Sequence, residues 1–337
     1  MSEKRICPYP FSRTNIGRVK YAPCCIAWFT DEYSALDHSG DIWNSQAAIE
    51  LRKSILDGSF KYCNRDVCKY PLTDIIEVDH IDENEVYIDE ESIKKMREGD
   101  YEYHYPMTSV VFEGDTRCNL ACPSCRTGRI TKISKKAEFG LYYLSRKVKK
   151  IIGTIRKVKF GGCSEFFFSD FYINMLKLLA EKKPPHLKEL SILTNGTLLN
   201  EKMYQSLGEG KDLITEINVS MDAGDEDTYQ VVRGGSWKHL MANLAFLQRL
   251  REKGTLKSLK LNFVVYEDNL QSIENFIKLG EKFNVDTLIV TDLLPWDMMK
   301  LNYKEKAIHL PSHPKHDEYK KIKQNAINHP LVWWPNE

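Results

Sequence analysis

Asp115-Thr-Arg-Cys-Asn-Leu-Ala-Cys-Pro-Ser-Cys-Arg126 is the stretch on which the reading of this chain turns. Its cysteines, Cys118, Cys122 and Cys125, are spaced Cys-x3-Cys-x2-Cys. A structural zinc site closes a tetrahedron with four ligands, usually drawn from two separated pairs. Three thiolates on one short loop suit instead a cubane 4Fe–4S cluster with one iron left open to a small-molecule ligand. The residues just before, Met107–Gly114, read as a buried strand. The cysteines therefore follow a strand's carboxyl end, where parallel α/β folds and barrels carry their active sites. A zinc knuckle or an accidental cluster is the alternative.

From Met107 onward, strand and helix signals alternate, the grammar of a parallel sheet. Strands are expected to end at Gly114, Gly162, Gly196 and Asp222, with two more over Leu259–Tyr266 and Thr287–Leu293. Helical periodicity is clearest in Tyr172–Lys183, Trp237–Lys253 and Leu270–Phe283. Six such units predict an α/β fold, a partial (β/α)6 TIM-like barrel over 107–295. A small cysteine-rich domain (1–75) precedes it, then an acidic linker (76–106), and an extension (296–337) is expected to pack on the barrel. Eight of the fifteen residues Glu77–Glu91 are acidic, which reads as a solvated bridge. His309, His313 and His316 in the tail read as turn and helix-start residues.

Composition narrows the class. The chain has 337 residues, a net charge of +1 and 28% charged residues, and this balance argues against a nucleic-acid partner. The first ten residues hold no apolar signal core, and no run approaches about eighteen apolar residues. A cytoplasmic protein with no membrane partner is expected. In that reducing compartment, nine cysteines favour metal binding over disulfides.

The cysteine loop is the motif of the radical S-adenosylmethionine (radical SAM) enzymes, and the chain resembles that superfamily at further strand ends. Gly161-Gly162 stands where the family carries Gly-Gly-Glu, a place at which backbone must approach the methionyl amine of SAM. The next residue here is Cys163 rather than Glu, and Glu165 is the candidate substitute. Thr194-Asn195-Gly196 resembles the Thr-Asn-Gly after the family's third strand. Ser220 and Asp222 alternate on the fourth strand, as ribose-binding groups would. Arg233 resembles an arginine that pairs with the SAM carboxylate, and Asn262 is a further candidate on the fifth strand. The resemblance implies that one electron from the reduced cluster splits SAM into methionine and a 5′-deoxyadenosyl radical. It also implies a reductase, such as flavodoxin or ferredoxin, as electron donor.

The amino-terminal cysteines resemble the auxiliary-cluster domains called SPASM or twitch, which normally follow the barrel. Gly17-x-Val19 leads to Cys24-Cys25, Trp43-Asn44-Ser45 forms the expected short helix start, and Cys63-x4-Cys68 closes the set. The resemblance implies a second 4Fe–4S cluster on Cys7, Cys24 (or its neighbour Cys25), Cys63 and Cys68, with zinc as the rival. Cys163 is the spare thiol, read either as a small packing residue or as a hydrogen-atom donor. A small molecule such as a sugar or aminocyclitol is the expected substrate, a ribosomally made peptide the alternative, and oxidation or epimerisation the outcome. A zinc-binding scaffold and a two-cluster electron carrier are the readings from outside this class.

Overall fold

Strand faces decide this architecture. In Ser258–Val265, Leu259, Leu261, Phe263 and Val265 are buried while Lys260 and Asn262 alternate with them, and Lys157–Phe160 repeats the pattern with Val158 and Phe160 inside. Strands of all-parallel sheets usually read as continuous apolar runs because both faces are covered by nonpolar packing. Here one face packs on helices and the other looks into a polar lumen.

The computed structural model describes residues 5–7, 9–17, 21–25, 28–39, 43–65, 68, 73, 74, 91, 94, 95, 98–102, 108–162, 164–295 and 299–334. Its strands are β1 (Arg5–Ile6), β2 (Arg13–Ile16), β3 (Tyr21–Ala22), β4 (Thr73–Asp74), β5 (Ser109–Phe112) and β6 (Lys157–Phe160). They continue with β7 (Glu189–Thr194), β8 (Glu216–Ser220), β9 (Ser258–Val265), β10 (Thr287–Asp292) and β11 (Val332–Trp333). The main sheet runs β11-β10-β9-β8-β7-β6-β5-β2-β3. Every neighbour pair from β11 to β2 is parallel, and only β3 is antiparallel, to β2. Its ends, β11 and β3, do not pair with each other, so the fold is an open, partial barrel of α/β class.

All six expected strands are present as β5–β10. Two parallel members lie outside the expected barrel. β2, from the cysteine-rich start, pairs with β5, and β11, from the tail, pairs with β10. A separate ribbon pairs β1 with β4 and so draws Cys7 and the Cys63–Cys68 stretch toward one another.

The helices are α1 (Asp31–Ser34), α2 (Gln46–Leu56), α3 (Lys135–Ile151), α4 (Asp170–Lys182) and α5 (Glu201–Ser206), then α6 (Glu226–Val232), α7 (Trp237–Glu252), α8 (Ile273–Lys282), α9 (Tyr303–Lys306) and α10 (His316–Ala326). Their starts are written in the sequence. Ser134, Ser169, Asn200, Asp225 and Ser236 each accept a backbone N–H of the first turn, which satisfies an otherwise orphaned donor. One apolar cluster runs from Cys7 to Trp334 and includes Leu51 and Ile55 of α2. Phe112 and Phe160 stack at its centre with ring centroids 4.9 Å apart, each contributing roughly 1.5–3 kcal/mol over exposure. Most of the acidic run lies outside the described residues. Among the described residues no helix is long and apolar enough to cross a membrane.

Candidate active site

The chain leaves β5 into the cysteine loop, and polar contacts hold that loop at each turn. Arg117 donates to Asp115 Oδ2 at 2.6 Å from Nη2 and 2.9 Å from Nε and to Oδ1 at 3.2 Å from Nε, and Ser169 donates to Oδ2 at 2.5 Å. Burial pushes the Asp115 carboxyl up, but the Arg117 and Ser169 hydrogen bonds outweigh it and hold it below its usual range. Cys118 N–H donates to Ile130 O at 2.8 Å, and the N–H groups of Cys125 and Arg126 both donate to Cys122 O. The Arg126 guanidinium is buried; it donates to Thr116 O at 2.8 Å and to Cys125 Sγ at 3.4 Å.

The strand ends reach back to the same loop. Asn195 donates to Asn119 Oδ1 at 2.8 Å, Asn119 donates to Thr197 Oγ1 at 2.9 Å, and Thr197 donates back to Asn195 Oδ1 at 2.7 Å. This ring of side chains ties the end of β7 between Cys118 and Cys122. From the tail, Lys300 N–H donates to Pro123 O at 2.9 Å.

Together these elements enclose an open cleft with about 430 Å³ of empty space. Cys118, Cys122 and Cys125 line it, along with Gly162, Glu165, Thr194, Asn195, Ser220 and Arg233. Nine of the residues singled out by sequence thus share one wall. Arg126, Ser164 and Leu193 also line it and were not anticipated. A basic residue directly after the last cysteine was the one available signal for Arg126.

Glu165 is fully buried and accepts three hydrogen bonds: from Thr194 Oγ1 and Asn195 N–H, each at 2.6 Å, and from Phe167 N–H at 3.2 Å. Burial raises its carboxyl against those donors. Arg233, just after α6, donates to Cys122 Sγ at 3.6 Å and pairs with Asp222 at 2.8 Å. Burial works to lower this guanidinium's pKa, but Asp222 and Cys122 more than offset it and hold it above its ordinary value. Its Nε is buried and has no hydrogen-bond partner among the described residues.

Gly161, Asp222 and Asn262 stand behind this wall rather than in it. A Cβ on Gly161 would come 2.4 Å from Leu193 Cβ, and Gly161 has φ +146°. Asp222, in a left-handed conformation at φ +55°, spends its carboxylate on Arg233 and on Val264 N–H. Asn262 pairs with Ser220 across β8 and β9 and accepts backbone bonds from Met221 and Asp222. Cys163 lies outside the described residues.

A second pocket, with about 340 Å³ of empty space, is lined by Cys7, Cys24, Cys63 and Cys68. Its other walls are mostly apolar and include Trp28, Phe29, Leu51 and Phe60, with Arg65 donating to Cys68 Sγ at 3.9 Å. Cys24 is buried and faces this pocket, whereas the adjacent Cys25 is half-buried and does not line it. Burial pushes the thiols up, Cys7 to about 12 and Cys63 to about 11, as it does Cys118 to about 11 in the first cleft. No three His, Cys, Asp or Glu side chains among the described residues draw in to the distances of a single metal ion. His309, His313 and His316 are engaged locally, with Tyr303, Glu305 O and Ile308 O.

The chain is 28% identical over 204 residues to a probable GTP 3′,8-cyclase of Sulfurisphaera tokodaii, covering 56% of this chain and 58% of that protein. It is 26% identical over 204 residues to a tungsten-containing aldehyde ferredoxin oxidoreductase cofactor-modifying protein of Pyrococcus furiosus, covering 58% and 54%. The match therefore spans little more than half of either relative. Among solved structures, Streptococcus suis SuiB bound to S-adenosylmethionine aligns at 14% identity with a TM-score of 0.48, over 74% of this chain and 56% of that one. Residues 115–280, from the cysteine loop through the end of the sheet's central strands, match the Radical SAM superfamily model, and the chain belongs to that superfamily.

Proposed function

We propose that this radical SAM enzyme holds a 4Fe–4S cluster on Cys118, Cys122 and Cys125 and SAM across Gly162, Glu165, Thr194, Asn195, Ser220 and Arg233. The observation that carries the reading is the convergence of those nine residues on one cleft. The donor set fits the group: three thiols and no fourth ligand on the loop, with a buried guanidinium N–H of Arg233 that has no partner. Gly162 fits too, because a Cβ there would meet Glu113 at 2.9 Å and close the wall. When bound, the cluster and SAM supply a 5′-deoxyadenosyl radical able to take a hydrogen atom from an unactivated carbon.

The protein's own part is positioning and exclusion of water. Arg233, held by Asp222, presents its remaining N–H to a carboxylate. Glu165 fixes Thr194 and the Asn195 amide, so the end of β7 keeps one shape. Asn119, Asn195 and Thr197 keep the cysteine loop in register with that strand end.

The substrate is proposed to be a small polar molecule such as a sugar or aminocyclitol. A nucleotide is the second reading, supported by relatives named GTP 3′,8-cyclase. A ribosomally made peptide is the remaining alternative. The four thiols around the amino-terminal pocket support a second 4Fe–4S cluster of the SPASM/twitch kind, with zinc as its rival. Flavodoxin or ferredoxin would supply electrons. Cys163, next to Gly162 in sequence, is proposed as the hydrogen donor of an epimerisation; Cys163→Ala would then abolish solvent-hydrogen incorporation while sparing SAM cleavage, and unchanged turnover would end that role.

The test is direct. Protein purified without oxygen, reconstituted and reduced with dithionite should convert SAM to 5′-deoxyadenosine and methionine, and Cys118→Ala should not. Absence of 5′-deoxyadenosine from the iron-loaded wild type would overturn the reading.

A further inference from the structure

The lumen below the cleft carries an excess of positive charge that the proposed reaction does not use. Parallel register puts Arg13, Ser109, Lys157 and Glu189 on one row of the inner face, and Asn15, Val111, Lys159, Ser191 and Glu216 on the next. The neighbours of Lys159 on its strand, Val158 and Phe160, are fully buried on the helix side, so Lys159 faces the lumen. The charges on this inner face are Arg13, Lys157, Lys159 and Lys260 against Glu113, Glu189 and Glu216.

Two of the cations are neutralised. Lys157 pairs with Glu189 at 2.9 Å and Lys260 with Glu216 at 2.6 Å. Arg13 donates to Asn15 Oδ1 at 2.8 Å and lies over the Tyr9 ring. Burial raises the Glu113 carboxyl, against a hydrogen bond from Asn15 and the nearby charges of Arg13 and Lys159, and it forms no close ion pair with Lys159 among the described residues. Lys159 has neither an ion pair nor a hydrogen bond among the described residues, and burial lowers its amine, with Arg13, Lys157 and Lys260 adding repulsion against the pull of Glu216. An ammonium so placed gains most from an anion that enters with the substrate.

Its position matches that use. Lys159 is two residues, roughly 7 Å along the strand, before Gly161, whose neighbour Gly162 lines the cleft. Glu113 bridges the two regions, since its Cβ abuts Gly162. Arg13 acts on Lys159 and Glu113 on one side and on Cys24 on the other. Arg13 thus couples the lumen site electrostatically to the amino-terminal pocket. Asn218 Oδ1, on the inner face of β8 beside Lys260, is buried without a hydrogen-bond partner among the described residues and offers an acceptor to a substrate hydroxyl or amine.

We propose that Lys159, with Arg13 beside it, is the anion site of the barrel lumen and holds a phosphate or carboxylate group of the substrate beneath the cysteine cleft. This deepens the functional reading above and rests on it, because it assumes that the reacting carbon lies in that cleft. It narrows that reading to small polar molecules bearing such a group within reach of the reacting carbon, sugar phosphates or nucleotides among them, and sets aside neutral sugars and aminocyclitols.

The test is calorimetric titration of the anaerobic, iron-loaded protein with inorganic phosphate and, separately, with malonate, in wild type, Lys159→Met and Lys159→Arg. Wild type should bind one of the two saturably, Lys159→Met should bind it roughly ten- to a hundredfold more weakly, and Lys159→Arg should retain most of the affinity. Phosphate alone would indicate a phosphorylated substrate, malonate alone a carboxylate. Iron content and circular dichroism check that each variant is folded, and Lys159→Gln replaces Lys159→Met if that variant is not. Binding of neither anion by wild type, or equal binding by a folded Lys159→Met or Lys159→Gln, would overturn the proposal. The assay for 5′-deoxyadenosine in wild type fails or succeeds independently, so loss of the anion site and loss of the radical reading are told apart.

Discussion

At the scale of single residues, Asp115 shows how much one carboxylate does before any chemistry begins. Its partners Arg117 and Ser169 hold the folded-state pKa below the unfolded value, so its contribution to stability is complete above the ordinary carboxylate range. That contribution drains away as pH falls through the lower folded value. Asp115→Asn should cost about 1–3 kcal/mol at neutral pH and flatten the acid limb below about pH 4, read from urea unfolding at pH 7 and pH 3.5. An unchanged acid limb would show that the ion pair carries no linkage. Glu165 is the complementary case: Glu165→Ala strands the Thr194 hydroxyl and two backbone N–H groups in a buried site, and should cost about 2–4 kcal/mol. Gly161→Ala should be at least as severe, since the added methyl meets Leu193 with φ positive. Gly128→Ala, with open space around it, is the neutral control, and a denaturation midpoint shared by the two alanine variants would contradict this account.

At the scale of elements, the six strands of the barrel were readable because each pairs a β-branched or aromatic run with a polar or glycine stop, as in Val158-Lys-Phe-Gly-Gly. β2 and β11 were not. Arg13-Thr-Asn-Ile16 has no apolar alternation of its own, and its place beside β5 is set by pairing with residues almost a hundred positions later. β11 is two residues long and leaves no periodic trace. The candidate site was legible to the extent that it rests on local motifs, the cysteine spacing, Gly161-Gly162 and Thr194-Asn195-Gly196. What escaped was relational: the Asn119–Asn195–Thr197 ring joins two loops that share no motif, and Asp222 turned out to orient Arg233 where a ribose contact was expected. Asn195→Ala should therefore loosen the cysteine loop without unfolding the barrel. Anaerobic chelation should strip iron from that variant several-fold faster than from wild type while the unfolding free energy changes by about 1 kcal/mol or less; equal stripping rates would assign the ring a purely structural part.

At the scale of the whole molecule, the amino-terminal segment and the barrel share one sheet and one apolar cluster, while their cysteines face two separate pockets. β2 is the physical link: its Arg13 lies on the lumen row and acts electrostatically on Cys24. Such an arrangement suits electron exchange between a substrate in the lumen and a cluster in the amino-terminal pocket. The pair of clusters proposed above is checked by counting iron. Protein reconstituted without oxygen should hold about eight irons per chain, falling to about four in Cys118→Ala/Cys122→Ala/Cys125→Ala and to about four in Cys7→Ala/Cys24→Ala/Cys63→Ala/Cys68→Ala. About four irons in wild type, unchanged by loss of the amino-terminal thiols and abolished by loss of the barrel thiols, would contradict it and leave the amino-terminal pocket to zinc or to no metal.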